Sequence, residues 1–239
     1  MPIHYTQHND GVAHITLDRQ EVMNALDVPA KEALARIWRE AAADSRVRTI
    51  VISGAGPKAF CAGSDTKAMQ RSGRMVTTST LIDALPNVGC VNDKPIIAAC
   101  HGYVIGFGLS IAIHCDFRFA APDAQFSFPE SAYGMISGVS AVTLPHIIGQ
   151  PAAMDLMLRG HRLGAEEAKR IGLVHEVVAG DVLAHTLSFA RKLAGYPVVS
   201  VAASKRLLMQ ELRHQVKKYR AEIEAARIEV AEARNMDAR

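Results

Sequence analysis

What the chain lacks narrows its class first. No apolar run approaches the roughly 20 residues that a membrane-spanning helix needs. The N-terminal stretch MPIHYTQHND has no basic segment followed by an apolar core, so it does not read as a signal peptide. The cysteines Cys61, Cys90, Cys100 and Cys115 include no CxxC pair. Their largely apolar neighbours suit buried free thiols in a reducing compartment. Neither sign of charge dominates: 27 basic and 24 acidic residues leave a net charge of +3. That balance carries no nucleic-acid footprint, while a local basic site for a phosphorylated ligand stays open. No internal repeat and no low-complexity linker is present. The histidines form no cluster, and adjacent His114 and Cys115 are poorly spaced for one metal on one helix face. His101, His114 and His146 are expected to be packing residues, with no metal bound. The expectation is a cytoplasmic, soluble globular protein, 49% hydrophobic and 21% charged over 239 residues, with neither nucleic acid nor membrane as partner.

Helix and strand signals alternate through the first two thirds. VAHITLD (Val12–Asp18) reads as a strand and Pro29–Ala43 as an amphipathic helix, with Leu34, Ile37 and Trp38 at helical spacing. TIVISGAG (Thr49–Gly56) reads as a buried strand, PKAFCAGSDTKAM as a loop turning into a helix, Lys94–Val104 as a second buried strand and Phe107–His114 as a helix. DFRFAAP and AQFSF follow as short strands. This alternation predicts a layered α/β core. After Gly149, PAAMDLMLRG, GAEEAKRIG and DVLAHTLSFARKLAGYP read as helices, with GLVHEVV a strand between them. From Val199 the chain reads as nearly continuous helix, highly charged at its end and either solvated or packed on a partner.

Two glycine-bearing segments each follow a strand and open a helix: AFCAGSD (Ala59–Asp65) and GYVIGFG (Gly102–Gly108). Backbone N–H groups at helix starts are free, and two such starts facing one point can hold a carbonyl oxygen as it becomes an oxyanion. Each segment alone also fits ordinary chain reversal. GFGLSI falls short of the dinucleotide fingerprint GxGxxG, because Ile111 stands at the third glycine. GLSIA (Gly108–Ala112) falls one residue short of the hydrolase elbow GxSxG, with Asp155 and His175 as downstream partners for a Ser110 nucleophile. Against that reading, Ala112 replaces a glycine, and a serine one turn inside a helix usually bonds a backbone carbonyl. In FSFPESAYG, Glu130 follows a proline among apolar and aromatic neighbours. Such a carboxylate suits proton transfer, or else simply starts a helix.

Taken in order, these segments resemble the crotonase superfamily, the enoyl-CoA hydratase/isomerase family. LDRQEVMNAL, AFCAGSD, HGYVIGFGLSIAIHCD, FAAPDAQFSFPESAYGM and LMLRGHRLGAEEAKRIGLVHEVV carry the resemblance, from about Val12 to Glu176. It implies an α/β fold, a spiral of ββα units over residues 1–195 holding the acyl-CoA site, and a C-terminal helical trimerisation segment over 196–239. It further implies a homotrimer or a dimer of trimers, an acyl-CoA thioester as substrate, and no cofactor, coenzyme A being part of the substrate.

Matched residue by residue, the oxyanion donors fall on the backbone of Ser64 and Phe107, and the catalytic acid/base on Glu130. Ala62, Gly63, Asp65, Gly106, Ser110, Tyr133 and Gly138 fall around the acyl group. Arg19, Asn24, Lys58 and Lys67 are candidates for CoA contacts.

The departures matter. Phe107 stands for a common glycine, Gln20 for a common proline, and Ser137 for the proline of a Pro-Gly turn. Ser110 stands where the family's hydratases carry a first glutamate. A hydroxyl cannot serve as a carboxylate base at neutral pH. The expected chemistry is therefore isomerisation of 3-enoyl-CoA to 2-enoyl-CoA with Glu130 as sole acid/base. The alternatives are a hydratase-type lyase with Ser110 in place of the first glutamate, a non-catalytic CoA-binding protein, and a serine hydrolase using Ser110. The chain also ends at Arg239, before an EGxxAFxxKR-like segment that many members carry.

Overall fold

A computed structural model describes residues 3–73 and 76–237. Among these, the strands in chain order are β1 (Ile3–Gln7), β2 (Val12–Leu17), β3 (Thr49–Gly54), β4 (Ala59–Cys61), β5 (Ile96–Cys100), β6 (Tyr103–Ile105), β7 (Phe117–Ala120), β8 (Gln125–Ser127), β9 (Leu163–Gly164) and β10 (Glu176–Val177). The helices are α1 (Val28–Ala43), α2 (Thr66–Ser72), α3 (Thr78–Asp83), α4 (Phe107–Ile113), α5 (Gly138–Thr143), α6 (Pro145–Ile148), α7 (Gln150–Arg159), α8 (Ala165–Arg170), α9 (Val182–Ala194), α10 (Val198–Leu208), α11 (Gln210–Lys218) and α12 (Arg220–Asp237). Six strands form a large sheet in the order β1-β2-β3-β5-β7-β10, and four form a small one in the order β4-β6-β8-β9.

The apolar run of β3 is buried on both faces, as its parallel pairing with β2 and β5 requires. Ile50 and Ile52 point into the main core with Leu34, Trp38 and Phe60. Val51 faces the other way and joins Ile97, Phe119 and Ala190, where α9 covers the sheet. Helix α1 starts where Asp27 Oδ1 accepts from the Ala30 amide at 2.9 Å, with Pro29 in the first turn. Its face of Ala30, Leu34, Ile37, Trp38 and Ala41 is buried. Trp38 Nε1 donates to the Ala84 carbonyl at 3.0 Å, so the indole carries its one polar group into the core satisfied.

Several elements differ from the sequence reading. The run Lys94–Val104 is two strands in two sheets, β5 and β6, separated by a turn at His101 and Gly102. The Ile3–Gln7 segment is an edge strand antiparallel to β2; its half-polar composition gave no apolar run to read. Of GLVHEVV only Glu176 and Val177 pair, with β7. The C-terminal helix is broken at Met209 and Tyr219 into α10, α11 and α12. His114 is buried as expected, but His146 is exposed, and the His101 ring reaches out to the Gly56 carbonyl at 2.8 Å.

The C-terminal helices share the core of the spiral. Val216 and Ile223 belong to the main cluster. Lys205 Nζ lies 2.6 Å from Asp116 Oδ2 and donates to the Lys94 carbonyl at 2.5 Å. Asp116 also accepts from the Ile96 amide and the Asn87 side chain. That buried pair, satisfied on both sides, fixes α10 against the start of β5. Arg227 on α12 donates to Thr78 Oγ1 and the Val76 carbonyl. No helix among the described residues is long and apolar enough to cross a membrane.

Candidate active site

Three neighbouring strands of the small sheet, β4, β6 and β8, run parallel. Just past their C-terminal ends stand Ser64, Phe107 and Glu130 respectively. Ligands of α/β sheets collect at that end, where backbone leaves the ladder and its polar groups become available.

Ser64 lies in a parallel bridge to Leu26. The bridging bonds are made by its neighbours: Leu26 N donates to the Gly63 carbonyl at 2.8 Å, and Asp65 N to the Leu26 carbonyl at 3.0 Å. The alternation of a strand therefore turns the amide of Ser64 itself to the opposite side. Phe107 is the first residue of α4, where an amide has no intrahelical acceptor. The two segments meet closely. A Cβ built on Gly63, whose φ is +103°, would lie 3.4 Å from the Phe107 nitrogen. Gly106, at φ +54° and ψ −120°, makes the approach to α4 in a conformation closed to other residues, and a Cβ there would sit 2.8 Å from Glu130 Oε1. Phe107 is only 7% exposed and belongs to the main core. Its bulk is thus absorbed by the core, and the site meets its backbone.

Residues around the first segment serve it from behind. Arg19 was a CoA candidate, but its guanidinium is turned inward, to the Ala25 carbonyl at 2.7 Å and Asp65 Oδ2 at 3.0 Å. Asp65 in turn caps α2, accepting from the Ala68 amide at 2.9 Å. Its carboxylate is therefore occupied by the protein and does not face an acyl group. Asn24 is 1% exposed, at φ +57°. Its side chain donates to the carbonyls of Ala55 and Ala59 and accepts from the Arg19 amide, so no polar atom remains for CoA. Ala62 donates its amide to the Met23 carbonyl at 2.9 Å, bracing the same segment. Lys58 and Lys67 are exposed and available to a phosphate.

Glu130 begins a 3-10 turn, Glu130–Tyr133, after Pro129. Its Oε1 accepts from Ser137 Oγ at 2.6 Å. Its Oε2 is buried without a hydrogen-bond partner among the described residues. Burial pushes the carboxyl above its ordinary range, and the Ser137 bond partly opposes that rise. A carboxylate whose proton affinity is raised in this way is suited to take and return a proton.

Ser110, one turn into α4, is buried. Its hydroxyl bonds Ser140 Oγ on α5 at 2.7 Å and donates to the Gly106 carbonyl at 3.2 Å. One turn further, His114 Nδ1 bonds the Ser110 carbonyl at 2.6 Å, and its Nε2 meets Thr143 Oγ1 at 3.2 Å. The pairs Ser110–Ser140 and His114–Thr143 form a satisfied polar seam between the two helices. The hydrolase partners are elsewhere: Asp155 pairs with Arg159 and His161, and His175 Nδ1 accepts from the Arg118 amide. Ser110 therefore has no base on its hydroxyl. Tyr133 is 65% exposed and does not line an enclosed acyl pocket. Gly138 is buried against α12, where an added Cβ would lie 2.9 Å from Ile223 Cγ2. It admits that helix and does not face the junction of the two donor segments.

Sequence reasoning passed over Ser137, Ser140 and Lys31 as parts of the site. Lys31 is fully buried, with Nζ 2.5 Å from the Leu26 carbonyl and 4.9 Å from the centre of the Phe107 ring. Its signal was a lysine three residues before Leu34, on the stripe that α1 buries. Among the described residues no group of three or more His, Cys, Asp or Glu side chains is placed to hold a metal ion.

With this geometry in hand, comparison with known proteins is direct. The sequence profile of the family described as enoyl-CoA hydratase/isomerase matches residues 7–234. The chain is 39% identical over 198 residues to (E)-benzylidenesuccinyl-CoA hydratase of Thauera aromatica, covering 82% of this chain and 77% of that protein. It is 32% identical over 205 residues to the short-chain-enoyl-CoA hydratase of Clostridium acetobutylicum, with 82% and 77% covered. Among solved structures, an enoyl-CoA hydratase/isomerase from Xanthobacter autotrophicus Py2 superposes with a TM-score of 0.86 at 29% identity, over 96% of this chain and 87% of that one. A carnitinyl-CoA dehydratase from Mycobacterium avium 104 gives a TM-score of 0.85 at 30% identity, over 97% and 92%. The family profile, the relatives and the fold agree: this chain belongs to the enoyl-CoA hydratase/isomerase family, in the crotonase superfamily.

Proposed function

We propose that this protein is an acyl-CoA enzyme that stabilises a thioester enolate and moves one proton with Glu130, shifting the double bond of a 3-enoyl-CoA to give the 2-enoyl-CoA. The observation that carries the reading is the pair Ser110–Ser140. Where a second carboxylate would be needed to hold a water across a double bond, a hydroxyl is already bonded to Ser140 and to the Gly106 carbonyl. Among the described residues Glu130 is left as the carboxylate available here, since Asp65 is held by Arg19 and the Ala68 amide.

The amides of Ser64 and Phe107 receive the thioester oxygen. Donors held ready at a point where charge develops contribute about 3–4 kcal/mol each to the barrier. Glu130 takes the C2 proton as the electron pair moves onto that oxygen, forming the dienolate. Protonated Glu130 then returns the proton at C4, and the thioester carbonyl re-forms. The raised affinity of Glu130 for a proton, caused by burial, suits both halves of the cycle. Lys58 and Lys67 stand exposed beside the first donor segment and supply charge for CoA phosphates.

A second reading is hydration of a 2-enoyl-CoA by Glu130, with Ser110 in place of the first glutamate. The names of the relatives favour it, since both curated relatives described above are hydratases. Exchange of the C2 hydrogen for deuterium in a panel of acyl-CoAs tests enolate formation. Glu130→Gln, nearly isosteric, is expected to lower turnover by roughly 10²- to 10⁴-fold with the fold intact. Full activity in that variant rejects Glu130 as acid/base. Efficient hydration of crotonyl-CoA with no conversion of 3-enoyl-CoA replaces the first reading by the second.

A further inference from the structure

Ser137 holds the position of helix cap for α5, where a serine ordinarily accepts a bond from a first-turn amide. It makes no such bond. Its hydroxyl is turned to Glu130 instead, at 2.6 Å from Oε1, the short distance of a hydroxyl donating to a carboxylate. Gly106 also approaches Oε1 closely: a Cβ there would lie 2.8 Å away. The second oxygen, Oε2, is buried and has no partner among the described residues. The two oxygens of one carboxylate are thus unlike. One is bonded and confined; the other is desolvated with its lone pairs unused.

We propose that Ser137 is a positioning residue for the reaction: its hydroxyl pins Oε1, fixes the rotation of the carboxylate, and presents Oε2 as the oxygen that exchanges the proton with substrate. The assignment rests on Glu130 being the acid/base of the proposed function. In the step it serves, the C2–H bond breaks and an Oε2–H bond forms while the electron pair passes to the thioester oxygen. In the return, the Oε2–H bond breaks and a C4–H bond forms as the electrons of the dienolate re-form the carbonyl. The Ser137 proton stays on Ser137 throughout. Because Ser137 donates to the ionised form, it also holds the carboxylate ready as base at lower pH than burial alone would allow.

The test is the pH profile of kcat/KM for wild type, Ser137→Ala and Ser137→Thr, with deuterium exchange at C2 as an independent readout. Removing a donor from a carboxylate raises its pKa. The acid limb of Ser137→Ala is therefore expected to move up by about one pH unit. Its activity then falls about tenfold below that limb and recovers towards wild type above it. Ser137→Thr keeps the hydroxyl and is expected to restore the limb. A Ser137→Ala limb that coincides with wild type overturns the proposal. So does an equal loss in the Ala and Thr variants at every pH, which marks a packing role. Glu130→Gln separates the two claims. If it is inactive while the Ser137→Ala limb stays in place, only the assignment of Ser137 fails. If it retains exchange and turnover, the role of Glu130 fails and that of Ser137 with it.

Discussion

The Lys31 ammonium packs against the inner face of the site, 4.9 Å from the centre of the Phe107 ring, while donating to the Leu26 carbonyl. Leu26 is also the residue bridged to Ser64. One buried cation thus touches the supports of both backbone donors. Burial lowers its pKa from 10.5 to about 8. The folded protein therefore binds fewer protons than the unfolded chain between about pH 8 and the ordinary lysine value, and stability rises with pH across that window. Denaturant melts at successive pH values are expected to show wild type gaining on the order of 3 kcal/mol relative to Lys31→Met between pH 8 and 10.5. Parallel curves for the two proteins refute the lowered pKa of Lys31.

Phe107→Ala separates the ring from the amide. The ring belongs to the core and packs against Lys31, whereas the amide is the group proposed to face substrate. The variant is expected to lose about 3–5 kcal/mol of stability, as for other truncated core phenylalanines. Turnover measured below its melting temperature should stay within a few-fold of wild type. A collapse of kcat in a folded Phe107→Ala protein shows that the ring shapes the site.

Ser110→Ala removes one member of a buried hydroxyl pair and leaves Ser140 short of a partner. The expected cost is about 1–2 kcal/mol in denaturation, with turnover largely kept. A fluorophosphonate should label neither protein, since the Ser110 hydroxyl has no base beside it. Labelling of wild type that disappears in the variant restores the nucleophile.

Asn24→Ala strips partners from two carbonyls and an amide inside the fold, at a backbone conformation that asparagine tolerates and alanine resists. Destabilisation of about 3 kcal/mol or more is expected. Asn24→Asp keeps the backbone preference but sets a carboxylate against two carbonyl oxygens, so it should also fall well below wild type. A binding defect for CoA with unchanged stability in either variant returns Asn24 to the ligand.

The strand-to-helix turns beside the candidate site were the most legible in the sequence. A glycine turn at a strand end followed by a helix start says where free amides stand, whatever the side chains are. The desolvated setting of Glu130 was legible because its neighbours after Pro129 are apolar and aromatic. The supporting residues were misread for one common reason. Arg19, Asn24 and Asp65 carry the charge or amides that a ligand would want, and only the three-dimensional structure shows that backbone and one another already occupy them. Ser137 was hidden the opposite way: it reads as a stand-in for a turn proline, and its choice of Glu130 depends on a chain reversal through the turn at Gly134. The strand Lys94–Val104 divided because continuous hydrophobicity reports burial, not which sheet a residue joins.

The order of β4, β6 and β8 in one sheet has a stereochemical consequence for the proposed reaction. In that proposal both donors to the thioester oxygen follow β4 and β6, and the base follows β8, next along the same edge. A substrate anchored by that oxygen offers a single side of its planar enolate to Glu130. The two hydrogens on C2 are then not equivalent to the enzyme: one is removed and the other is retained. The proton returned at C4 arrives on the side from which the first one left.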